Sequence, residues 1–460
     1  MIRIFNHWFH WRPLAQALLD SSFVIVGVVI AITWTRQGLP IDHQQVILFG
    51  LIVIAVAMSL SSLIGLYQRI HTRTIIDART QALLSIYLSF PIAYSFYVLL
   101  PLAPASRELA QLSAMSAVFG LLVTRVSAWP SAKPGVTKRR ILVLGTGIKA
   151  QEVKRALYRS DPSAEIVGFY AGANENDSIT PGNQVVSPGR TLFEAAAAAN
   201  AKEIVVALTE RRGGTMPMRE LLDCKLRGIK VLDLASYFER TLGQIRLDSL
   251  YAGWLIFGEG FNQSHPRAII KRIFDILFSL ILLVLTLPIM LVTALLIGLE
   301  SGFPIFYRQE RVGLNGRLFN VIKFRSMCCD AEKDGKPVWA TSGDARVTKV
   351  GGIIRKLRID ELPQLFSVLK GEMSLVGPRP ERPYFVDQLT REIPFYAVRH
   401  SVKPGVTGWA QVCYHYGATV EDSAEKLQYD LYYVKNHSLF LDLVILVETV
   451  GVVITGKGAH

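Results

Sequence analysis

Residues 346–382 read RVTKVGGIIRKLRIDELPQLFSVLKGEMSLVGPRPER. Eight Lys or Arg stand there against four acids, and two of the acids, Asp360 and Glu361, are adjacent. After them Leu362, Leu365, Phe366 and Leu369 recur at i, i+3, i+4 and i+7. Pro363 falls in the first turn and Gly371 follows the last. That spacing predicts a short helix with Asp360 and Glu361 at or next to its N-cap. A helix N-terminus carries free N–H groups and partial positive charge, which suits carboxylates and phosphates alike. Two readings are open: Asp360 caps the helix while Glu361 complements its dipole, or the pair does chemistry. The surroundings favour chemistry. Arg355, Lys356 and Arg358 come just before, and Gly377-Pro378-Arg379-Pro380 just after, a rigid turn presenting an arginine. A carboxylate pair in a basic cup supplies a nucleophile or metal ligand, and cations to hold charge, as work on a diphosphate requires.

Outside this stretch the chain is apolar. Of its 460 residues 50% are hydrophobic and 19% charged, too apolar for an ordinary soluble enzyme and too long for one domain. A formal net charge of +13 fits a nucleic-acid binder or a membrane protein with basic cytoplasmic loops, and the apolar segments decide for the membrane. Cys224, Cys328, Cys329 and Cys413 show neither C-x-x-C nor His-rich spacing, so no disulfide framework or zinc site is indicated.

Four apolar segments, 14–34, 46–66, 82–102 and 109–126, are each about the 20 residues that span a bilayer. They predict a four-helix transmembrane bundle over 1–130. One set of flanks holds ten Lys or Arg, from Arg3 to Arg140, and the other only Arg36 and Arg107. The positive-inside rule therefore places the N-terminus and the chain after Arg139 in the cytoplasm.

Residues 139–257 read as a Rossmann-like α/β unit. Strands are expected at 141–144, 165–170, 203–208 and 229–232 with helices between, which implies a parallel sheet. Gly145-Thr146-Gly147-Ile148-Lys149-Ala150 is a turn that could seat a dinucleotide. The acid expected at the end of the second strand is missing, since Phe169-Tyr170 ends it, and the domain lacks a Tyr-x-x-x-Lys pair. A structural or regulatory module is the expectation, with no cofactor assigned.

A fifth apolar segment, 273–299, has Lys271 and Arg272 before it and Arg308, Arg311, Arg317, Lys323 and Arg325 after it. Both flanks want the cytoplasmic side, and Pro288 sits mid-run, where it kinks a helix. A re-entrant membrane helix over 267–300, bent at Pro288, satisfies both; the alternative is a full span that tolerates Pro288 and puts the following basic domain outside. The rest, 301–460, is a basic cytoplasmic domain. Within it 439–454 is apolar but holds Asp442 and Glu448, which argue against a span and leave an interfacial or a core helix.

Five blocks carry a resemblance. They are Tyr307-Arg308-Gln309-Glu310-Arg311-Val312-Gly313, Lys323-Phe324-Arg325-Ser326-Met327, Leu357-Arg358-Ile359-Asp360-Glu361-Leu362-Pro363-Gln364, Leu375-Val376-Gly377-Pro378-Arg379-Pro380-Glu381, and Lys403-Pro404-Gly405-Val406-Thr407-Gly408-Trp409-Ala410-Gln411-Val412. In this order they resemble the bacterial sugar transferase family, the polyprenyl-phosphate hexose-1-phosphate transferases that begin exopolysaccharide and O-antigen repeats. The first half is similar to that of the large members.

The resemblance implies a monotopic phosphoglycosyl transferase at the bacterial inner membrane, with a mainly α-helical catalytic domain on the cytoplasmic face. It implies a UDP-sugar donor, undecaprenyl phosphate as acceptor, Mg²⁺, and a homodimer. Asp360 would be the nucleophile, and Glu361 its partner at the metal. Lys323, Arg325, Arg358 and Arg379 would bind phosphate oxygens. Two departures are visible: Leu287 rather than serine precedes Pro288, and Cys413-Tyr414-His415-Tyr416-Gly417 replaces the usual Asn-Gly. This tail, with Tyr429-Asp430-Leu431-Tyr432-Tyr433, resembles that of the exopolysaccharide-associated branch that transfers glucose-1-phosphate, with galactose-1-phosphate as the alternative. Two other functions compete. A nucleotide-sugar epimerase or dehydratase would work through the Rossmann-like half, and a membrane scaffold would need no carboxylate pair. Trp409 and Tyr414 could stack a base or sugar, or fill a core.

Overall fold

The structure, a computed structural model, describes residues 2–4, 7–9, 18, 19, 21–23, 25, 26, 29 and 115, then 139–160, 164–172, 185–186, 191–208, 216–247, 250, 260–261, 264–328, 346–414, 417 and 419–455. The four expected spans lie outside the described residues apart from a few helical positions at 18–29 and 115. Two short strands, β1 (Ile2–Ile4) and β2 (His7–Phe9), pair near the start. The chain divides into two compact units, with the break between Leu242 and Gly243.

The first unit is built on four parallel strands, β3 (Arg139–Leu144), β4 (Ala164–Tyr170), β5 (Glu203–Val206) and β6 (Lys230–Asp233), in the order β4-β3-β5-β6. Helices α1 (Ile148–Ser160), α2 (Leu192–Ala198), α3 (Met218–Leu226) and α4 (Leu234–Leu242) alternate with them. Successive strand side chains point to opposite faces, and both faces are apolar. Ile141, Val143 and Val205 pack with Val153, Leu157 and Phe238 on one side. Leu142, Leu144, Ile204 and Val206 pack with Leu192, Ala196, Leu221 and Cys224 on the other. A central strand that is apolar on both faces must be covered on both, hence the doubly wound, Rossmann-like form expected from the sequence. The unit ends at 242 rather than 257, because Ile245 is wholly buried in the core of the second unit.

The second unit opens with α5 (His265–Ser301), 37 residues with Pro288 inside an otherwise continuous helix. Its apolar middle is exposed, Val284 by 71% and Leu285 by 67%. Among the described residues it is the one helix long and apolar enough to cross a membrane. Phe274 and Phe278 near its start pack on the main core of the unit, and Met290 and Ile297 near its end pack on Phe324 and Ile354. An antiparallel hairpin follows, β7 (Phe306–Val312) with β8 (Leu318–Phe324).

Next come α6 (Lys349–Lys356), α7 (Gln364–Lys370), strand β9 (Ser374–Val376) and α8 (Pro383–Glu392). Strand β10 (Gly405–Thr407) lies parallel to β9, and α9 (Trp409–Cys413), α10 (Val420–Asn436) and α11 (Leu439–Thr455) close the unit. The domain is mainly helical, as expected. Helix α11 has one face in the core and another exposed. Leu441 and Ile445 are wholly buried, while Leu443, Val447 and Val450 are exposed.

Candidate active site

The carboxylate pair sits in a turn that the sequence only half announces. Helix α6 ends at Lys356, and Arg358 then adopts left-handed backbone geometry at φ 58. That conformation is uncommon for a residue with a side chain, and costly enough to need support from the surroundings. It reverses the chain into a 3-10 turn, Ile359–Glu361, and α7 starts only at Gln364 behind Pro363. Asp360 and Glu361 thus lie just ahead of the N-cap, as the spacing predicts, and in a tighter turn. Both are buried, at 8% and 7% exposure.

The two carboxylates are held differently. Glu361 accepts from Lys323 Nζ at 2.8 Å and from Arg379 Nη2 at 2.7 Å, both on Oε1, and from Arg379 Nη1 at 3.4 Å on Oε2. Asp360 receives no side-chain hydrogen bond among the described residues. Burial pushes the Asp360 carboxyl up, and the charge of Glu361 pushes it the same way, against Lys323, Arg379 and Arg358. Burial alone would raise Glu361 too, but Arg379 and Lys323 hold it well below the usual carboxylate range. Desolvation lowers Lys323, with Glu361 opposing, and Glu361 raises Arg379 above the ordinary arginine range. A buried pair of acids with opposite shifts is the arrangement that separates a reactive group from its support.

Each clamp is itself positioned. Lys323 projects from β8. Arg379 stands on the turn after β9, where Gly377 meets β10 so closely that a Cβ on it would lie 2.3 Å from the Lys403 carbonyl oxygen and 2.9 Å from the Gly405 nitrogen. The motif glycines at 377 and 405 are therefore requirements of backbone approach. Behind Arg379, its carbonyl accepts from Arg399 Nη2 at 2.9 Å. Arg399 in turn pairs with the buried Asp430 at 2.7 Å and donates to the Tyr396 hydroxyl at 2.6 Å.

The expected phosphate binders separate into two groups. Lys323 and Arg379 are at the dyad, and Arg358 flanks it closely enough to lower both carboxyls. Arg325 is elsewhere: its Nη2 caps α5, donating to the carbonyls of Ser301 at 2.8 Å and Gly302 at 2.6 Å. Being two residues from Lys323 would keep Arg325 on the same strand face, but β8 ends at Phe324 and the face is lost. Pro288 interrupts no helical assignment. Thr286 donates to the Leu282 carbonyl at 2.7 Å, two residues short of Val284, whose partner the proline removes.

Trp409 and Tyr414 have structural partners. Trp409 Nε1 donates to the Gly243 carbonyl at 2.8 Å and its ring lies 6.1 Å from that of Tyr432, while the Tyr414 hydroxyl donates to Asp422 at 2.8 Å. The reading of residue types gives Arg399 no role and has Asp430 only as part of a motif, so their pairing is not foreseen. A signal existed in the acid at 430, set among Leu427, Leu431 and Tyr433 on one helix face.

Over 346 residues the chain is 32% identical to the UDP-glucose:undecaprenyl-phosphate glucose-1-phosphate transferase of Escherichia coli K12, covering 73% of this chain and 72% of that protein. The family described as bacterial sugar transferase matches residues 266–456. The chain belongs to the bacterial sugar transferase family. Two further relatives share shorter stretches. A UDP-N-acetylgalactosamine-undecaprenyl-phosphate N-acetylgalactosaminephosphotransferase of Aeromonas hydrophila is 48% identical over 53% of this chain and 56% of its own length. A UDP-glucose:undecaprenyl-phosphate glucose-1-phosphate transferase of Klebsiella pneumoniae is 43% identical over 42% of each. The matched region of this sugar transferase contains the dyad, its clamps and all of α5 from Pro266 onward.

Proposed function

We propose that this protein transfers a sugar 1-phosphate from a UDP-sugar to undecaprenyl phosphate, releasing UMP, through a covalent intermediate on Asp360. The observation that carries this reading is the asymmetry of the dyad: a clamped Glu361 beside an Asp360 that no described residue hydrogen-bonds. A carboxylate left without donors keeps its lone pairs for attack. In the first step an Asp360 oxygen attacks the β-phosphorus, the bond to the bridging oxygen breaks, and UMP leaves with its electron pair. In the second a phosphate oxygen of undecaprenyl phosphate attacks the same phosphorus and frees Asp360. Splitting the transfer keeps two anionic phosphates from meeting in one low-dielectric site. Arg379 and Lys323, held at Glu361, present cations to the transferring phosphoryl oxygens, and the guanidinium offers a fork matched to them.

Among the described residues no group of three His, Cys, Asp or Glu could hold a metal. Two adjacent buried carboxylates, Asp360 and Glu361, are what remains to meet a cation, and Mg²⁺ is commonly held by one or two carboxylates plus substrate phosphates. Asp360 and Glu361 would be its protein ligands, and the ion would neutralise the diphosphate and the departing UMP. For the sugar, the named relatives use glucose or N-acetylgalactosamine, so both donors belong in the test beside galactose. The relatives named here lend nothing to the epimerase alternative.

The reading places the catalytic unit on the cytoplasmic face, with α5 entering and leaving on that side. Its support is that one unit holds both ends of α5. Lys271 reaches Asp442 at 2.7 Å and Arg272 the Leu369 carbonyl at 2.7 Å, while Arg325 and the backbone of Lys349 engage Ser301 and Glu300. From Lys271 to Ser301 a straight helix would run about 45 Å and would part the two anchors by more than a bilayer core of roughly 30 Å.

UMP release by detergent-purified protein, with and without undecaprenyl phosphate, tests the chemistry. Mg²⁺-dependent release that needs the lipid for turnover and is lost in Asp360→Asn is the expected result, and the productive donor names the sugar. Normal turnover by Asp360→Asn would overturn it. Cysteines placed by His265→Cys and Phe303→Cys should both react with an impermeant reagent from the same side of a sealed vesicle.

A further inference from the structure

The hairpin that delivers Lys323 to the dyad has a second face. Side chains on β7 and β8 alternate between two sides. Lys323 stands opposite Tyr307 and Val321 opposite Gln309 on one, and Arg308 opposite Ile322 and Glu310 opposite Asn320 on the other. Against the Arg308 side lies an open cavity of about 600 Å³. Its wall is completed by the hairpin turn around Arg317, by the C-terminal end of α7 and by Lys403.

Four cations line this cavity, Arg308, Arg317, Lys370 and Lys403, against one acid, Glu372. Among the described residues none of the four makes a hydrogen bond or an ion pair through its side chain, in contrast with Lys271, Arg272, Lys323, Arg379 and Arg399 nearby in sequence and fold. Lys403 is lowered, first by burial and then by the charge of Arg272, with Asp275 opposing. Four cations against one acid leave a net positive charge that an arriving anion offsets, and arginine forks match phosphate oxygens. Leu314, Leu318 and Ile322 supply apolar wall beside them.

The cavity is also close to the start of α5. A Cβ built on Gly371, which lines it, would lie 3.3 Å from Arg272 Nη2 and 3.7 Å from Lys403 Nζ. Arg272 is the last cation before the apolar run of α5. On the reading of α5 as a membrane helix, that is the height of lipid headgroups.

We infer that this cavity is a second phosphate site, on the opposite face of the hairpin from the carboxylate dyad, taking an anionic phospholipid headgroup or a small soluble phosphate. Thermal unfolding of the full chain in neutral detergent tests it. Phosphatidylglycerol or phosphatidylcholine is added to the micelles in one arm, and inorganic phosphate against chloride at equal ionic strength in the other. Binding to the folded state raises Tm by mass action. The expected result is a rise with phosphatidylglycerol but not phosphatidylcholine, at least halved in Arg317→Glu/Lys370→Glu and kept in Arg227→Glu on the first unit.

A rise with inorganic phosphate, lost in the same double variant, would name the soluble source instead. Equal rises in wild type and double variant, or none in either arm, would overturn the inference. Equal Tm values of the two proteins without additive exclude misfolding. UMP release is no part of the readout, so failure of the proposed transfer reaction would leave this result standing.

Discussion

In the parallel-sheet unit two acids are buried among the described residues, Glu203 and Glu239, and Glu203 is met by Arg240 at 2.8 Å and by Arg139 at 3.5 Å. In the second unit five acids are buried among the described residues: Asp275, Asp360, Glu361, Asp430 and Asp442. Asp275 accepts from Ser374 and the Leu375 N–H, Asp442 from Lys271 and the Tyr433 hydroxyl, Asp430 from Arg399, and Glu361 from two cations. Only Asp360 is left without a donor there. Buried charge is costly unless paired. Glu203 and four of the five acids of the second unit meet that rule, and the one that departs from it, Asp360, is the residue the proposed reaction would use as nucleophile.

The comparison breaks hardest at Asp360. Asp360→Asn should lower steady-state UMP release by roughly 10⁴-fold or more, as loss of a nucleophile does, while raising Tm in calorimetry. The sign follows from the raised carboxyl. Its stabilising contribution is complete below the ordinary carboxyl pKa and fades as pH rises through the raised one, so at neutral pH the ionised group is a cost that the amide removes. For the same reason wild-type rate should climb as pH rises through that raised pKa.

Arg399→Met should cost about 3–5 kcal/mol in denaturant unfolding, because it strands Asp430 in the core, and Asp430→Leu in the same chain should recover part of it. Glu361→Gln should cost about 3 kcal/mol at neutral pH by leaving Lys323 and Arg379 facing each other. The depressed carboxyl gives stability that is present above the ordinary pKa and lost as pH falls through the lowered one, so the difference from wild type should shrink in acid. Glu203→Gln, by contrast, should lower Tm without changing UMP release at a temperature where both proteins are folded. Smallest of all, Arg227→Ala removes an exposed i,i+4 pair with Asp223 and should change stability by less than about 0.5 kcal/mol.

The parallel sheet was legible because its signal is local: runs such as Ile204-Val205-Val206, apolar on both faces, bounded by helix-forming stretches. The adjacency of Asp360 and Glu361 and the arginine on the turn at 379 were visible as residue types in one short stretch. Lys323 came only from the family resemblance, and the contacts of Lys323 and Arg379 with Glu361 were not foreseen. What stayed hidden depends on backbone direction. Nothing in Lys356-Leu357-Arg358 announces a left-handed residue without glycine, so the tight turn before α7 could not be placed. Arg325 was expected to bind phosphate from the family resemblance of its motif, and the end of β8 at Phe324 sends it instead to the cap of α5. Arg399 and Asp430 are thirty-one positions apart in sequence, and composition does not pair such residues.

The anchoring of α5 at both ends has a practical side. Lys271, Arg272 and Asp275 supply interior hydrogen bonds to Asp442, the end of α7 and β9, and Ser301 receives Arg325. The long apolar helix is therefore also a beam in the frame of its unit. A chain begun at residue 303 to escape detergent would expose Asp442 and Ser374 together, and its failure to fold would come from lost interior bonds before any question of membrane attachment arose.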